Sequence, residues 1–204
     1  MATPTSGVRK VGIFGGTFDP PHVGHLAVAK DAMEALGLER VLLVPAVRSP
    51  FKSEAPAAPA PTRLRMIAEA VSDEPRFEVC DLELRREAPS YTVDTLARLS
   101  EDMPGIRLVL LLGVDQWAGF GRWRRPREIA RLAEIAVLTR SGERPGALDP
   151  ELEDGPPIPF IEVPVTRIDL SSTEVRNRVR EGRSARWLVP EAVRRIIEAE
   201  KLYL

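Results

Sequence analysis

His22 and His25 are the only two histidines among 204 residues, and both fall in one turn, Gly12-Ile13-Phe14-Gly15-Gly16-Thr17-Phe18-Asp19-Pro20-Pro21-His22-Val23-Gly24-His25. Three positions apart on a helical first turn, they share a face. An imidazole donates a hydrogen bond to a phosphoryl oxygen, more strongly when protonated, and so stabilises charge that grows in a phosphoryl or nucleotidyl transition state. Zinc is a poorer reading, because it takes about three or more protein ligands and the chain has neither a cysteine cluster nor an H-E-x-x-H motif. The glycines permit close backbone approach, and amides at a helix start favour an anion. A glycine pair after a first strand is by itself an ordinary tight turn; the histidines make it a candidate phosphate cradle. It is neither G-x-G-x-x-G nor a Walker A loop, which moves the reading away from hydride transfer and P-loop chemistry.

A second polar cluster lies far along the chain. Ser171-Ser172-Thr173-Glu174-Val175-Arg176 places hydroxyls just before a helix and an arginine in its first turns. Ser171 and Glu174 have capping-box spacing, which on its own explains them. Hydroxyls and free amides at a helix N-terminus also suit the outer phosphates of a nucleotide, with Arg176 as a charged clamp, so both readings can hold together.

Taken together, Gly15 to His25 and Ser171 to Arg176 resemble the paired signature of the HxGH nucleotidyltransferase superfamily. Within it the chain is similar to the bacterial nicotinate-nucleotide adenylyltransferases. The likeness runs through Pro50-Phe51-Lys52, Pro89-Ser90-Tyr91-Thr92-Val93-Asp94-Thr95-Leu96, Gly113-Val114-Asp115 with Trp117, and the stretch from Leu188-Val189-Pro190 to Leu202-Tyr203. Phe51 departs from the pattern, standing where the family often has a histidine; it bears on one phosphate contact and leaves Lys52 in place.

The resemblance implies adenylyl transfer from ATP to nicotinate mononucleotide by direct in-line attack of the mononucleotide phosphate on the α-phosphate. The products are nicotinate adenine dinucleotide and pyrophosphate, in NAD biosynthesis. The nucleophile is already an anion, so no general base is needed; the protein aligns two anions and stabilises the transition state. By the same likeness, Gly15, Gly16, Thr17 and Phe18 approach ATP, and His22 and His25 contact its phosphates. Ser171, Ser172, Thr173 and Arg176 hold the outer phosphates, and Lys52 reaches across from its loop. His22, His25, Lys52 and Arg176 form the implied catalytic set, with Gly113 and Asp115 at the nucleoside moiety.

On the acceptor side the likeness implies backbone groups of Tyr91 and Thr92 at the pyridine substituent and Trp117 stacked on the ring, which suits an electron-poor pyridinium. Trp123 and Trp187 read as packing or surface cover, and Arg122, Arg124, Arg125 and Arg127 as a solvated face. Mg²⁺ is expected to enter on the ATP phosphates, with no protein metal site. The expected partners are the two small molecules, with no nucleic acid and no membrane; a homo-oligomer stays open. Rival readings are an adenylyltransferase of phosphopantetheine or a cytidylyltransferase of a phosphorylated alcohol, from which Pro89 to Leu96 with Trp117 separates the chain. A nucleotide-binding module without catalysis is the rival of another class, and both histidines and Arg176 stand against it.

Positioning these residues takes alternating strands and helices. Lys10 to Phe14 is predicted as a strand, followed by a helix through Leu26, Ala29, Met33 and Leu36 that stops at Gly37. Arg40 to Pro45 reads as a buried parallel strand, and 46–61, with four prolines, as a surface loop. Thr62 is expected to cap a helix carrying Leu64, Ile67, Ala68 and Val71. A strand over Phe77 to Leu84, a helix over Thr92 to Leu99 and a strand over Arg107 to Leu112 follow. Gly113-Val114-Asp115 then stands where open α/β sheets place ligands. Ile135 to Thr139 and Phe160 to Val165 read as further strands around an irregular stretch, 141–159. A helix ending at Glu181 and another from Pro190, with Val193, Ile196 and Ile197 apolar, complete the pattern. This alternation predicts a doubly wound, Rossmann-like parallel sheet in a single domain over 8–204, with 1–7 as a disordered tail.

Composition agrees: 44% apolar and 29% charged residues with a net charge of −1 exclude a wholly disordered chain. They supply no basic field for a polynucleotide. The single cysteine, Cys80, allows neither an internal disulfide nor a multi-thiolate zinc site and fits a reducing, cytoplasmic compartment. The apolar runs fall far short of the roughly 20 residues that span a bilayer.

Overall fold

The computed structural model describes residues 8–48, 55–140, 145–146 and 155–204. The expected tail, Lys52 with Phe51, and much of the 141–159 stretch lie outside them. Six strands run parallel: β1 (Lys10–Gly16), β2 (Arg40–Pro45), β3 (Phe77–Val79), β4 (Arg107–Gly113), β5 (Glu134–Arg140) and β6 (Ile161–Val165). Their order across the sheet is β3-β2-β1-β4-β5-β6. The chain thus winds outward from β1 in one direction and from β4 in the other, as the alternation predicted.

The central strands read as unbroken apolar runs because both faces are covered. Alternate residues point to opposite faces. Leu108, Leu110 and Leu112 of β4 join one core with Val93 and Leu96 of α3 (Thr92–Asp102), Trp117 of α4 (Val114–Ala118) and Ile129 of α5 (Pro126–Leu132). Val109 and Leu111 join the other core, with Ala29 and Met33 of α1 (Val23–Ala35), Met66 and Ile67 of α2 (Ala60–Ala70), Val175 of α6 (Ser172–Arg180) and Val193 and Ile197 of α7 (Glu191–Ala199). At Gly12 a Cβ would lie 2.7 Å from Leu38 Cδ1; the missing side chain lets Leu38 fill that slot against β1.

Two expectations need correction. The strand predicted over Phe77 to Leu84 stops at Val79. Among the described residues β3 has only β2 beside it, and β2 ends in Pro45, which has no N–H to extend the ladder; from Asp81 the chain turns instead, with Leu84 N–H donating to Asp81 O at 2.9 Å. Thr62 does not cap α2, which starts at Ala60 after Pro59 with Pro61 in its first turn, a position proline is pre-shaped to fill. Its hydroxyl donates to Glu200 Oε2 at 3.1 Å. The short helices α4 and α5 carry too few periodic residues to be seen in the sequence.

One buried network joins the turn after β1 to distant parts of the chain. Asp19 is 3% exposed, and its carboxylate accepts from Ala57 N–H (2.7 Å), Ala58 N–H (3.1 Å) and the Tyr203 hydroxyl (2.8 Å). Arg63, 1% exposed, donates to the carbonyls of Thr17 (2.7 Å) and Ala46 (2.8 Å). Burial and the adjacent Asp19 charge push the Tyr203 hydroxyl well above its ordinary pKa, so it stays a donor. Tyr203→Phe removes one donor from a buried carboxylate. It should destabilise the fold by roughly 1.5–3 kcal/mol, the range for a hydrogen bond to a charged group, read from the urea unfolding midpoint; an unchanged midpoint would show that the bond contributes nothing net.

Candidate active site

A cleft of about 810 Å³ opens at the carboxyl ends of the strands, at the β1/β4 reversal where doubly wound sheets bind ligands. His22 is the N-cap of α1, with extended backbone, and its N–H donates to His25 Nδ1 at 3.2 Å. With Nδ1 accepting, a neutral His25 carries its proton on Nε2. The two rings stack with centroids 3.6 Å apart, and both line the cleft, which bears out the shared face read from their spacing.

His22 is only 5% exposed. Burial lowers its pKa to about 4, the Glu174 charge opposing and Arg140 reinforcing the shift. At neutral pH it is therefore an uncharged imidazole, not the imidazolium that would donate more strongly. Its Nδ1 is buried without a partner among the described residues. A Cβ on Gly24 would come within 3.1 Å of that atom, so the glycine between the histidines makes room for the ring.

Gly16 and Gly15 are glycines for different reasons. At Gly16 a Cβ would meet the Phe18 ring at 2.9 Å, whereas at Gly15 it would meet nothing within 4 Å among the described residues. Phe18 itself is buried, holds φ 49° and packs edge-on against His25 at 5.0 Å. Thr17 and Phe18 line the cleft.

The second motif meets the first here. Ser171 caps α6: its Oγ accepts from Glu174 N–H at 3.2 Å while Glu174 Oε2 accepts from Ser171 N–H at 2.8 Å, as the spacing predicted. Ser172 Oγ donates to Pro20 O at 2.9 Å. Arg176 donates to Asp19 O at 2.8 Å and to Thr173 Oγ1 at 3.1 Å. Two segments about 150 residues apart are thereby clipped together, and Ser171, Ser172, Thr173 and Arg176 all border the cleft. The sequence reading missed Arg140, which ends β5, and Arg180, which ends α6; both also line it. The rule that strand carboxyl ends face the ligand could have found Arg140.

Gly113 and Gln116 form the cleft edge at β4, where Gln116 Oε1 accepts from Gly113 N–H at 3.0 Å. Asp115 sits exposed in the first turn of α4. Tyr91, the N-cap of α3, Thr92 and Trp117 are not brought into this cleft. Trp117 departs from the expectation of a ring offered for stacking: it is 1% exposed, with Phe120 at 5.6 Å and Phe160 at 4.7 Å. Apolar contact on both sides favours that buried position, though it leaves the indole N–H without a partner among the described residues. Arg124 stands over the Tyr91 ring at 4.6 Å, and Arg125 pairs with Asp94 at 2.8 Å, so the arginine cluster is in part attached to α3 rather than simply solvated. Among the described residues no group of three or more His, Cys, Asp or Glu could hold a metal ion. The cleft's donors suit an anion.

The cytidylyltransferase-like family model matches residues 13–178. A probable nicotinate-nucleotide adenylyltransferase of Rhodopirellula baltica is 40% identical over 207 residues, covering 98% of this chain and 96% of the relative. One from a Roseiflexus species is 45% identical over 197 residues, covering 95% and 97%, and one from Thermus thermophilus 41% over 194 residues, covering 95% and 99%. The solved nicotinic acid mononucleotide adenylyltransferase of Plasmodium falciparum, complexed with NaAD, superposes with a TM-score of 0.73 at 18% identity over 96% of this chain and 97% of that one, a likeness of fold. The chain therefore belongs to the cytidylyltransferase-like family and, within it, to the nicotinate-nucleotide adenylyltransferases.

Proposed function

We propose that the protein transfers the adenylyl group of ATP to nicotinate mononucleotide, a step of NAD biosynthesis carried out in the cytoplasm. The observation that carries this reading is the clip between the two motifs, which faces His22, His25 and Arg176 into one cleft. A phosphate oxygen of the mononucleotide attacks the α-phosphorus of ATP. The new P–O bond forms as the bond to the bridging oxygen breaks, and pyrophosphate leaves with that electron pair. No proton need move, so alignment and charge stabilisation are what remain for the protein.

His25 donates from Nε2 to the phosphates, beside the uncharged His22, and the α6 N-terminus with Arg176 receives the outer phosphates. Gly15, lacking any neighbour at its Cβ position among the described residues, leaves the nucleotide room against β1. Mg²⁺ arrives as part of the ATP substrate and offsets its charge. Asp19 is already committed to Ala57, Ala58 and Tyr203, so it is assigned no part in holding the ion. Lys52 completes the phosphate contacts, Gly113 and Asp115 meet the nucleoside, and Tyr91 and Thr92 address the pyridine substituent. Stacking of Trp117 on the ring requires it to leave Phe120 and Phe160.

With ATP and Mg²⁺, pyrophosphate release should be faster with nicotinate mononucleotide than with nicotinamide mononucleotide, and absent with phosphopantetheine; activity with the last alone would overturn the reading. His25→Ala should lower kcat by roughly 10²-fold or more with the circular dichroism spectrum unchanged, and normal turnover would remove His25 from the role of phosphate donor. His22 also makes a stability prediction. Its folded-state pKa of about 4 lies below the unfolded value of about 6.5, so the unfolded chain takes up the proton first. The stability advantage is full above about pH 6.5 and is lost as the pH falls to about 4, amounting to about 3 kcal/mol at 1.4 kcal/mol per pH unit. The gap in unfolding free energy between the wild type and His22→Asn should narrow across that range; a constant gap would contradict the burial argument.

A further inference from the structure

We infer that Glu83 is a positioning residue for the acceptor edge of the site, bracing the segment Ser90 to Thr95 so that Tyr91 and Thr92 hold their backbone groups in place. The inference rests on the proposed reading that Tyr91 and Thr92 receive the pyridine substituent. Glu83 is 8% exposed, and its Oε1 accepts from the Thr95 hydroxyl at 2.8 Å. Ser90 is its second side-chain partner. Ser90 Oγ in turn accepts from Val47 N–H at 3.1 Å, and Ser90 N–H donates to Arg48 O at 3.3 Å. The carboxylate thus grips the residue just before Tyr91 and a residue in the first turn of α3, and ties both to the exit of β2.

Stability alone gives a poor account of this acid. Among the described residues no cation pairs directly with it; Arg86 is the one charge that favours its ionised form, and burial pushes its carboxyl above the usual range. An apolar side chain in that space would avoid the desolvation penalty. What a carboxylate adds is directional acceptance from two hydroxyls at once. Direction matters here because Tyr91 is an N-cap with no side-chain cap bond, and the first amides of a helix have no partner within it. The carbonyl of Tyr91 accepts from the amides of Asp94 (3.1 Å) and Thr95 (3.3 Å), so a shift of Thr95 turns the peptide of Tyr91 with it.

The test uses the whole chain with Glu83→Ala and Glu83→Gln, the second keeping one acceptor and the shape. Glu83→Ala should raise KM for nicotinate mononucleotide about tenfold while KM for ATP and kcat change less than about twofold, with Glu83→Gln intermediate. In the ligand-free protein, hydrogen exchange at the amides of Ser90, Asp94 and Thr95 should quicken by about tenfold in Glu83→Ala, with α1 and α6 unaffected. Unchanged KM and unchanged exchange would overturn the brace, as would an equal rise in both KM values with faster exchange throughout. If Glu83→Ala does not fold, Glu83→Gln decides by the same two readouts. Wild-type protein inactive on nicotinate mononucleotide, with the localised exchange change still seen in Glu83→Ala, would sink the acceptor reading while leaving Glu83 as the brace of this segment.

Discussion

The carboxylate of Asp19 is the point to which the turn after β1 is fastened. One oxygen takes the Tyr203 hydroxyl and the Ala58 amide, the other takes the Ala57 amide, and the backbone carbonyl of the same residue takes Arg176. A buried carboxylate needs such partners, since each unmet acceptor would carry a desolvation penalty. Satisfying it and the carbonyl of the same residue brings four separate pieces of chain to one place. The turn after β1 thereby acquires a fixed shape that its glycines and prolines could not give it alone, and His22 and His25 stand on that shape.

The electrostatics of the cleft follow from the same arrangement. No lysine among the described residues of the cleft supplies the charge; it comes from Arg140, Arg176 and Arg180 at the rim, together with the N-terminus of α6. His22, buried at the floor, stays neutral. Uncharged and stacked on the His25 ring, it brings no charge of its own that needs a counter-ion. The guanidinium groups, always ionised, give the rim its positive charge.

Much of this was legible in the sequence, for identifiable reasons. The central strands have both faces covered, so β2 and β4 announce themselves as unbroken apolar runs. The capping box of Ser171 and Glu174 is a local pattern and reads locally. The placing of both histidines in a strand-to-helix turn pointed to the site because glycine, turn and donor coincide there. What stayed hidden was whatever depends on contacts between distant residues. Asp19, Arg63 and Tyr203 look like three ordinary polar positions until folding brings them together. The end of β3 was hidden because it is set by Pro45 of the neighbouring strand, not by its own residues. The burial of Trp117 stayed hidden because a tryptophan after a strand end carries no mark of whether Phe120 and Phe160 will enclose it.

The bonds of Arg176 and Tyr203 to residue 19 have a consequence for the order in which the molecule comes together. They close loops of more than 150 residues, and contacts of such separation form late, after the local helices and the neighbouring strand pairs have paid most of the ordering entropy. An intermediate with the sheet assembled but the α6 and α7 side undocked would contain every residue of the turn after β1 and still lack the means to hold it. Any ligand that binds only the docked state draws the equilibrium toward it.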